Sequence, residues 1–311
     1  MNWFNFGKTI YKDKNIKEYK RLVVFLIRVF FNRANINGLI SFFSETYFKK
    51  AILKKEPFFI EIATRKVLYK DSRVEDRCKI IKNHFNIIFN KIFEKAIEKI
   101  YLDSGIILLE EEYKEKKLYV KLDFESGQKK EGLVSLMLKL DDMKIYQMIF
   151  WLGYDKNNEE ALYIGAMQGS NEIESNALIK GLTKYFYGYR TKNLILYMTR
   201  CLAKSLDIGK IYAVSNKGYY ANNHIRIDRK LKTSLDEFWE EAGGKRTEDY
   251  RFYELPVEEY RKSIEEVKTH KRSQYRNRFN KLDEVESKII ETIKSFCLWG
   301  LNDKIYWQGK R

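Results

Sequence analysis

Apolar residues recur at spacings of three and four in the first third of the chain, and this spacing predicts helices. Residues 14–53 contain two apolar segments broken near Asn35-Ile36-Asn37-Gly38, and residues 74–101 carry one apolar face. The members of that face are Ile80, Ile81, His84, Ile87, Ile88, Ile92, Ala96 and Ile100. A lone histidine on an apolar face is typical of a core residue with satisfied hydrogen bonds, although a catalytic role for His84 stays open.

The pattern changes after residue 105 to short apolar or alternating segments separated by turn residues. These segments are Ile106–Leu109, Lys117–Phe124, Leu133–Leu140, Met143–Leu152 and Leu162–Met167. Alternation at period two predicts half-buried strands, and the tight Asp141-Asp142 break predicts a hairpin. We therefore expect an antiparallel meander over residues 106–167.

A helix, a loop, a second helix and a strand are predicted next. The helices cover residues 172–187 and Lys192 to about Leu206, with Gly188-Tyr189-Arg190 as the loop and Thr191 as the N-cap. The buried face of the second helix is predicted to hold Leu194, Ile195, Met198, Cys201, Leu202, Ser205 and Leu206. The strand Ile211–Val214 follows.

Together these elements predict an α+β fold. An N-terminal helical region, residues 1–104, packs on a mixed, mainly antiparallel sheet within residues 105–285. Residues 286–311 form a C-terminal helical extension.

Positive charge is concentrated at the two ends of the 311-residue chain. The chain has 59 Lys and Arg against 43 Asp and Glu, a net charge of +16, and the excess lies in residues 1–100 and 261–311. Such a surface attracts a polyanion: a nucleic acid, an anionic lipid or a phosphorylated substrate. The alternative is a composition bias, because Lys, Asn, Ile, Phe and Tyr are the residues that AT-rich codons favour.

Several classes of protein are disfavoured. No segment reaches the roughly 18 apolar residues of a membrane span; the nearest, residues 22–31, is interrupted by Arg28 and is interpreted as a buried or interfacial helix. Cys78, Cys201 and Cys297 lie too far apart for a disulfide framework or a metal pair, and three histidines predict no metal site. P-loop, dinucleotide-loop, serine-elbow and HExxH motifs are absent. We expect a cytoplasmic protein, and the sequence identifies no catalytic residue.

The first candidate site lies where the second predicted helix begins. Gly188, Arg190, Lys192 and Asn193 stand there, and the free N–H groups and dipole of a helix N-terminus favour an anion. We predict that they bind a phosphate or cofactor, with a solvated basic turn as the alternative. Polar residues predicted to contact a substrate are Gln168, Thr183, Lys184, Ser215 and Asn216. The alternative for all five is ordinary turn and capping hydrogen bonding.

The second candidate site is the segment Lys268–Lys281, which has six basic residues and no acid. Basic side chains interleaved with Tyr275 can bind phosphates and stack on bases. The residues predicted to bind a polyanion are Lys271, Arg272, Arg276 and Arg278. The alternative is a solvated helix that pairs with acids such as Glu265 and Glu266.

The order of strand, basic loop, helix and strand resembles the acyl-CoA N-acyltransferases of the GNAT type. In those enzymes backbone N–H groups of a glycine- and basic-rich loop hold the pyrophosphate of coenzyme A. The corresponding parts here are Tyr163–Met167, Gly188–Asn193, the helix 192–206 and Ile211–Val214. The resemblance implies a GNAT-like sheet and acyl-CoA as cofactor. The predicted helix between strand and loop, and the absence of Q/R-x-x-G-x-G/A, depart from that pattern.

A set of short motifs over roughly residues 40–285 resembles the VirK/YbjX family of bacterial proteins. The matching segments are Asp76-Arg77 through His84, Glu131-Gly132-Leu133, Ile164–Gly169, Leu182-Thr183-Lys184, Tyr187–Arg190, Lys192-Asn193-Leu194, Ala213–Asn216, Phe238-Trp239, Gly243-Gly244, Phe252–Pro256 and Lys271–Arg278. Two departures are Thr191, where the family usually has Pro, and Lys217–Tyr220, where it often has a histidine. The resemblance implies links to virulence, stress response and the cell envelope, without an established reaction.

Two functions therefore stay open. One is a GNAT-like acyltransferase that binds a phosphate-containing cofactor or substrate. The other is a non-enzymatic basic protein that binds nucleic acid or anionic envelope components.

Overall fold

The computed structural model describes residues 1–12, 15–125, 129–170, 175–222 and 234–298. The N-terminal third forms the helices α1 (Trp3–Ile10), α2 (Ile16–Phe31), α3 (Arg33–Ser44), α4 (Tyr47–Lys55), α5 (Phe58–Thr64), α6 (Val74–Lys91) and α7 (Glu94–Leu102). The strands are β1 (Ile106–Tyr113), β2 (Lys116–Asp123), β3 (Val134–Leu140), β4 (Met143–Tyr154), β5 (Glu160–Gly169), β6 (Lys210–Val214), β7 (Lys245–Arg246) and β8 (Phe252–Leu255). The remaining helices are α8 (Ser175–Tyr185), α9 (Thr191–Ser205), α10 (Leu235–Glu241) and α11 (Arg272–Lys294).

The predicted meander is confirmed, and the sheet continues beyond it. Strands β1 to β5 pair antiparallel in chain order, and the full strand order is β1-β2-β3-β4-β5-β6-β8-β7. Strand β6 is parallel to β5, while β8 is antiparallel to both β6 and β7. A parallel pair needs a long crossover, which α8 and α9 supply. Helix α6 packs on β4, and α9 packs on β3, β4 and β6. The predicted α+β class is therefore confirmed.

Two helix boundaries differ from the prediction. The break expected near residues 35–38 lies at Asn32, because its side chain donates to the Arg28 carbonyl at 2.8 Å and its backbone N–H also bonds there. The stretch 74–101 is two helices, because Ile92 is extended and forms a β-bridge with Cys297.

The N-terminus of α9 also differs from the prediction. Its N-cap is Arg190, and Thr191 is the first helical residue, so the predicted cap was wrong by one position. The predicted buried face of α9 is confirmed, and Leu196, Tyr197, Thr199 and Arg200 on other sides are buried as well. A helix that is buried nearly all round is part of the core.

One hydrophobic core joins all parts of the described chain. It runs from Leu22 in α2 through the sheet to Cys297. Helix α11 runs without interruption across residues 285 and 286, between which the boundary of the C-terminal extension was predicted.

The described helices do not include one that is long and apolar enough by itself to cross a membrane. Helices α2 and α3 meet that test only when taken together, and they are bent by 96° at the break between them.

Candidate functional site

Strands β5 and β6 pair over only part of their length. The parallel pairing covers Ala161–Ile164 of β5 against Lys210–Ala213 of β6, while β5 continues to Gly169 beside β4 alone. The register with β4 shifts where pairing with β6 ends, because Phe150 faces Ile164 and Ile149 faces Ala166. Gly165 is thus the extra residue of a β-bulge. Bulges are over-represented next to active sites, where they redirect the chain. We call this region the β5–β6 fork.

The backbone of Glu131, whose carboxyl group is buried, lies at the fork. A Cβ atom added at Gly165 would clash with the carbonyl oxygen of Glu131 and lie 2.9 Å from the Trp151 ring. The Glu131 side chain is buried and accepts a hydrogen bond from the Tyr219 hydroxyl at 3.2 Å. Burial raises its pKa, although hydrogen bonds from Tyr220 and Tyr219 oppose the rise. A carboxyl with a raised pKa is a candidate general base.

The contact at Gly165 gives a stability prediction. The obstacles to a side chain are a backbone oxygen and a fixed ring, so we expect Gly165→Ala to lower the free energy of unfolding by about 3 kcal/mol. The measurement is urea denaturation followed by far-UV circular dichroism. Gly209→Ala is the matched control, because nothing lies within 4 Å of its added Cβ. Equal midpoints for the two variants would contradict the tight contact.

The N-terminus of α9 lies at the open end of the fork. Helix α9 ends at Ser205, shortly before β6 begins, so its N-terminus points toward the carboxyl end of β6. Two contacts support this placement: Lys192 Nζ lies 3.0 Å from Glu241 Oε2 of α10, and the Trp239 indole N–H of α10 donates to the Val214 carbonyl at 3.0 Å.

The four residues of the predicted phosphate site have different surroundings. The Asn193 N–H bonds to the Arg190 carbonyl, whereas the N–H groups of Thr191 and Lys192 have no acceptor among the described residues. The Asn193 Oδ1 is buried and has no hydrogen-bond partner in the described structure. Arg190 is exposed. The hydrogen bond and the charge of Lys192, and to a smaller extent the charge of Arg190, lower the pKa of Glu241. The helix start therefore offers two backbone N–H groups without an acceptor and one exposed cation, while Lys192 pairs with Glu241.

Gly188 has a role that the sequence did not reveal. Its φ of +80° favours glycine, and its N–H bonds to the Thr183 carbonyl, so it ends α8. An added Cβ would lie 2.7 Å from Gln274 Nε2 and 3.1 Å from Arg278 NH2. The close approach at Gly188 is therefore made by α11.

The five residues predicted to contact a substrate belong to three separate segments of the chain. The Thr183 hydroxyl donates to the Ile179 carbonyl at 2.7 Å, and Lys184 is exposed on the last turn of α8. Gln168 is half-buried near the end of β5 and has an interaction of its own. The Ser215 hydroxyl donates to the Tyr250 carbonyl at 2.8 Å, and Asn216 Oδ1 accepts from the Leu235 N–H at 2.8 Å. Ser215 and Asn216 thus attach β6 to the segments that follow it.

An aromatic cleft that the sequence analysis missed lies beside the fork. Trp151, Tyr163 and Tyr212 occupy neighbouring positions on β4, β5 and β6, with ring centroids 5.5 Å and 5.1 Å apart. Cavities of about 420 Å³ and 230 Å³ adjoin there and share Tyr163, Asp249 and Phe252. Such a stacked aromatic wall with a few polar groups is typical of a ligand site. The alternation of side chains along each strand determines which residues share a face of the sheet. The pairing register of β4, β5 and β6 is what places the three rings side by side.

Some side chains of the basic segment Lys268–Lys281 form hydrogen bonds within the protein. Arg272 donates to the Val267 carbonyl at 3.1 Å, and Arg278 donates to the Tyr187 carbonyl at 2.9 Å. Lys271 and Arg276 are exposed, and their side chains make no hydrogen bond or ion pair with the described residues. Two of the four predicted polyanion ligands therefore hold neighbouring backbone instead of facing solvent freely.

His84 is fully buried in the core. Its Nδ1 accepts the Leu152 N–H at 3.0 Å, so its Nε2 carries the proton and donates to the Tyr101 hydroxyl at 2.5 Å. Burial lowers the pKa of His84 from 6.5 to about 3. Both ring nitrogens are thus satisfied in the neutral form. His224 lies outside the described residues.

The described residues contain no group of three or more His, Cys, Asp or Glu side chains that could hold a metal ion.

The chain is similar to several proteins of bacteria. "Uncharacterized protein YbjX" of Escherichia coli (strain K12) is 29% identical over 133 residues, which is 42% of this chain and 40% of that protein. An "Uncharacterized protein" of Haemophilus influenzae (strain Rd) is 28% identical over 276 residues, 85% of this chain and 86% of that protein. Another from the same strain is 25% identical over 165 residues, 48% of this chain and 55% of that protein.

A family model covers the helices α2 to α10, the fork and most of α11 together. Residues 14–291 match the model described as "Protein of unknown function (DUF535)". The motifs at Glu131, Gly165 and Gly188 all fall within the matched region. The chain therefore belongs to the DUF535 family, which is the VirK/YbjX family.

Proposed function

We propose that this protein is an acyltransferase of GNAT-like architecture that binds acyl-coenzyme A at the β5–β6 fork. The observation that carries the proposal is the bulge at Gly165, where β5 leaves β6 and the backbone carbonyl of Glu131 lies against the glycine. The carboxyl ends of diverging strands leave a crevice in which ligands commonly bind. A parallel strand pair that separates beside a helix N-terminus favours a cofactor slot between them.

The start of α9 would bind the phosphates of the cofactor. The free N–H groups of Thr191 and Lys192 and the positive end of the helix dipole favour an anion there. Arg190 adds an exposed cation, and Asn193 on the same turn has a buried Oδ1 without a partner among the described residues. The N–H groups and the cation fit a group that carries phosphates, as coenzyme A does.

The groups at the fork match the proton transfers of acyl transfer. Glu131 would take the proton that an attacking amine or hydroxyl loses as its bond to the acyl carbon forms. A hydroxyl of Tyr219 or Tyr220 would protonate the thiolate as the carbon–sulfur bond breaks. Burial raises the pKa of both tyrosines, so their hydroxyls are protonated at neutral pH. The tyrosinate formed would regain its proton from Glu131, which the Tyr219 hydroxyl contacts at 3.2 Å. The aromatic cleft beside Trp151 would hold the acceptor.

Cofactor binding is tested by calorimetry with acetyl-coenzyme A. We expect the wild-type protein to bind it, and Arg190→Ala with Asn193→Ala to weaken binding at least tenfold, because a charge-assisted contact to phosphate is lost. Lys262→Ala, which removes one exposed cation elsewhere, is the control and should bind as the wild type does. Absence of binding, or equal affinity in the loop variant and the control, would refute the phosphate cradle.

A further inference from the structure

Helix α2 exposes a broad apolar face. Leu22, Phe25 and Val29 pack into the core, as one side of a surface helix should. The opposite side, where polar residues are the rule, carries large apolar side chains at spacings of three and four. These are Ile16, Tyr19, Val23, Ile27, Phe30 and Phe31, each at least half exposed, and Phe31 is 78% exposed. An apolar patch of this kind marks a surface that binds something.

Cations lie along one side of this apolar face. A depression of about 610 Å³ beside α2 is lined by Lys17, Lys20, Arg21 and Arg28, and Arg65 from the end of α5 completes it. Arg21 pairs with Glu18, but the other three cations of α2 form no hydrogen bond or ion pair with the described residues.

One buried acid forms the inner wall of the depression. Glu61 Oε1 accepts from the Tyr11 hydroxyl at 2.7 Å and from Arg65 at 3.1 Å. Its Oε2 is buried and has no hydrogen-bond partner among the described residues. The depression therefore offers several cations for a phosphate and one carboxylate oxygen for a hydroxyl donor.

We propose that α2 binds the surface of a bilayer that contains anionic lipid, with its apolar face in the headgroup–acyl boundary. Apolar side chains on one face and cations beside them are the features of a helix that lies in a membrane interface. The charge is complementary to a phosphate headgroup, and hydroxyls of phosphatidylglycerol can donate to Glu61. A helix of 16 residues is about 24 Å long, enough for several headgroups. The proposal is independent of acyl transfer and would hold the sheet at a membrane surface.

The test is flotation of the full chain with two kinds of vesicle. One contains phosphatidylcholine alone, and the other contains phosphatidylcholine and phosphatidylglycerol in equal parts. We expect the wild-type protein to float with the anionic vesicles, to stay unbound with the neutral ones, and to dissociate as salt is raised.

Two variants of α2 separate the apolar and the charged contributions. Phe30→Ser with Phe31→Ser should weaken binding at least tenfold, since two exposed rings no longer enter the interface. Lys17→Gln, Lys20→Gln and Arg28→Gln together should weaken it about a hundredfold and reduce the salt dependence. All five side chains are exposed, so circular dichroism and the unfolding midpoint should match those of the wild type.

The control variant removes the same number of positive charges from a surface outside α2. Lys116→Gln, Lys262→Gln and Lys288→Gln neutralise three exposed cations outside α2 and should leave flotation unchanged. Equal losses in the control and in the α2 charge variant would show general attraction and overturn the proposal. So would equal flotation with neutral vesicles, or a dimer in sedimentation velocity that Phe30→Ser with Phe31→Ser dissociates.

Discussion

Glu131→Gln is expected to slow the hydrolysis of acetyl-coenzyme A by about 10²–10⁴-fold, the usual effect of removing a general base. Glutamine keeps the shape of the side chain and can still accept the Tyr219 hydrogen bond, so the structure should be preserved. Water serves as the acceptor in this assay, and release of the free thiol is followed. No knowledge of the natural acceptor is needed.

The assay separates loss of the base from loss of cofactor binding. Calorimetry should show that Glu131→Gln binds acetyl-coenzyme A as tightly as the wild type does. Glu159→Gln, an exposed acid in the turn between β4 and β5, is the control and should keep full activity. Equal hydrolysis by all three proteins would remove Glu131 from the reaction. Burial raises the pKa of Glu131. The pH at which the wild-type rate falls to half on the acidic side should therefore lie above the ordinary pKa of glutamate.

The free energy of unfolding is expected to fall by about 2 kcal/mol between pH 7.5 and pH 5 on account of His84 alone. The folded state keeps this histidine neutral, with a pKa of about 3, while the unfolded chain takes up a proton near pH 6.5. The unfolded state therefore gains protons first as the pH falls, and stability is lost from about pH 6.5 downward. By pH 3 the loss amounts to roughly 4 kcal/mol.

Urea denaturation at a series of pH values measures this contribution. His84→Gln has no titrating ring, so its free energy of unfolding should lack the pH-dependent loss that His84 causes in the wild type. The variant should be less stable than the wild type at pH 7.5. His270→Gln is the control, because His270 is exposed. The Tyr101 hydroxyl that faces the ring stays protonated, since burial raises its pKa well above 10. Parallel pH profiles for the wild type and His84→Gln would contradict the buried neutral histidine.

Elements with a regular apolar period could be predicted from the sequence. The strands of the meander, the strand β6 and the buried face of α9 all follow local patterns of two, three or four residues. The break at Asn32 and the cap at Arg190 could not be placed to the residue, because hydrogen bonds to particular carbonyls decide where a helix ends.

The candidate site could be predicted only in part. The anion-binding position at residues 188–193 follows from a helix start next to basic residues. The sequence could not show that Gly188 is enclosed by α11 or that Lys192 pairs with Glu241, because these partners are 49 or more residues away. Glu131 lies within one of the motifs that resemble the VirK/YbjX family, yet no neighbouring residue in the sequence distinguishes it from a solvated acid.

The sequence by itself determined the helices, the meander and the basic ends of this protein, because each depends on neighbours within a few positions or on composition. Only the tertiary structure brought Glu131, Gly165 and Tyr219 together and left one face of α2 apolar and uncovered. Burial is a property of the packed chain, since it depends on which distant segment covers a side chain. The fork and the exposed face of α2, on which the proposals rest, therefore appear only when the chain is folded.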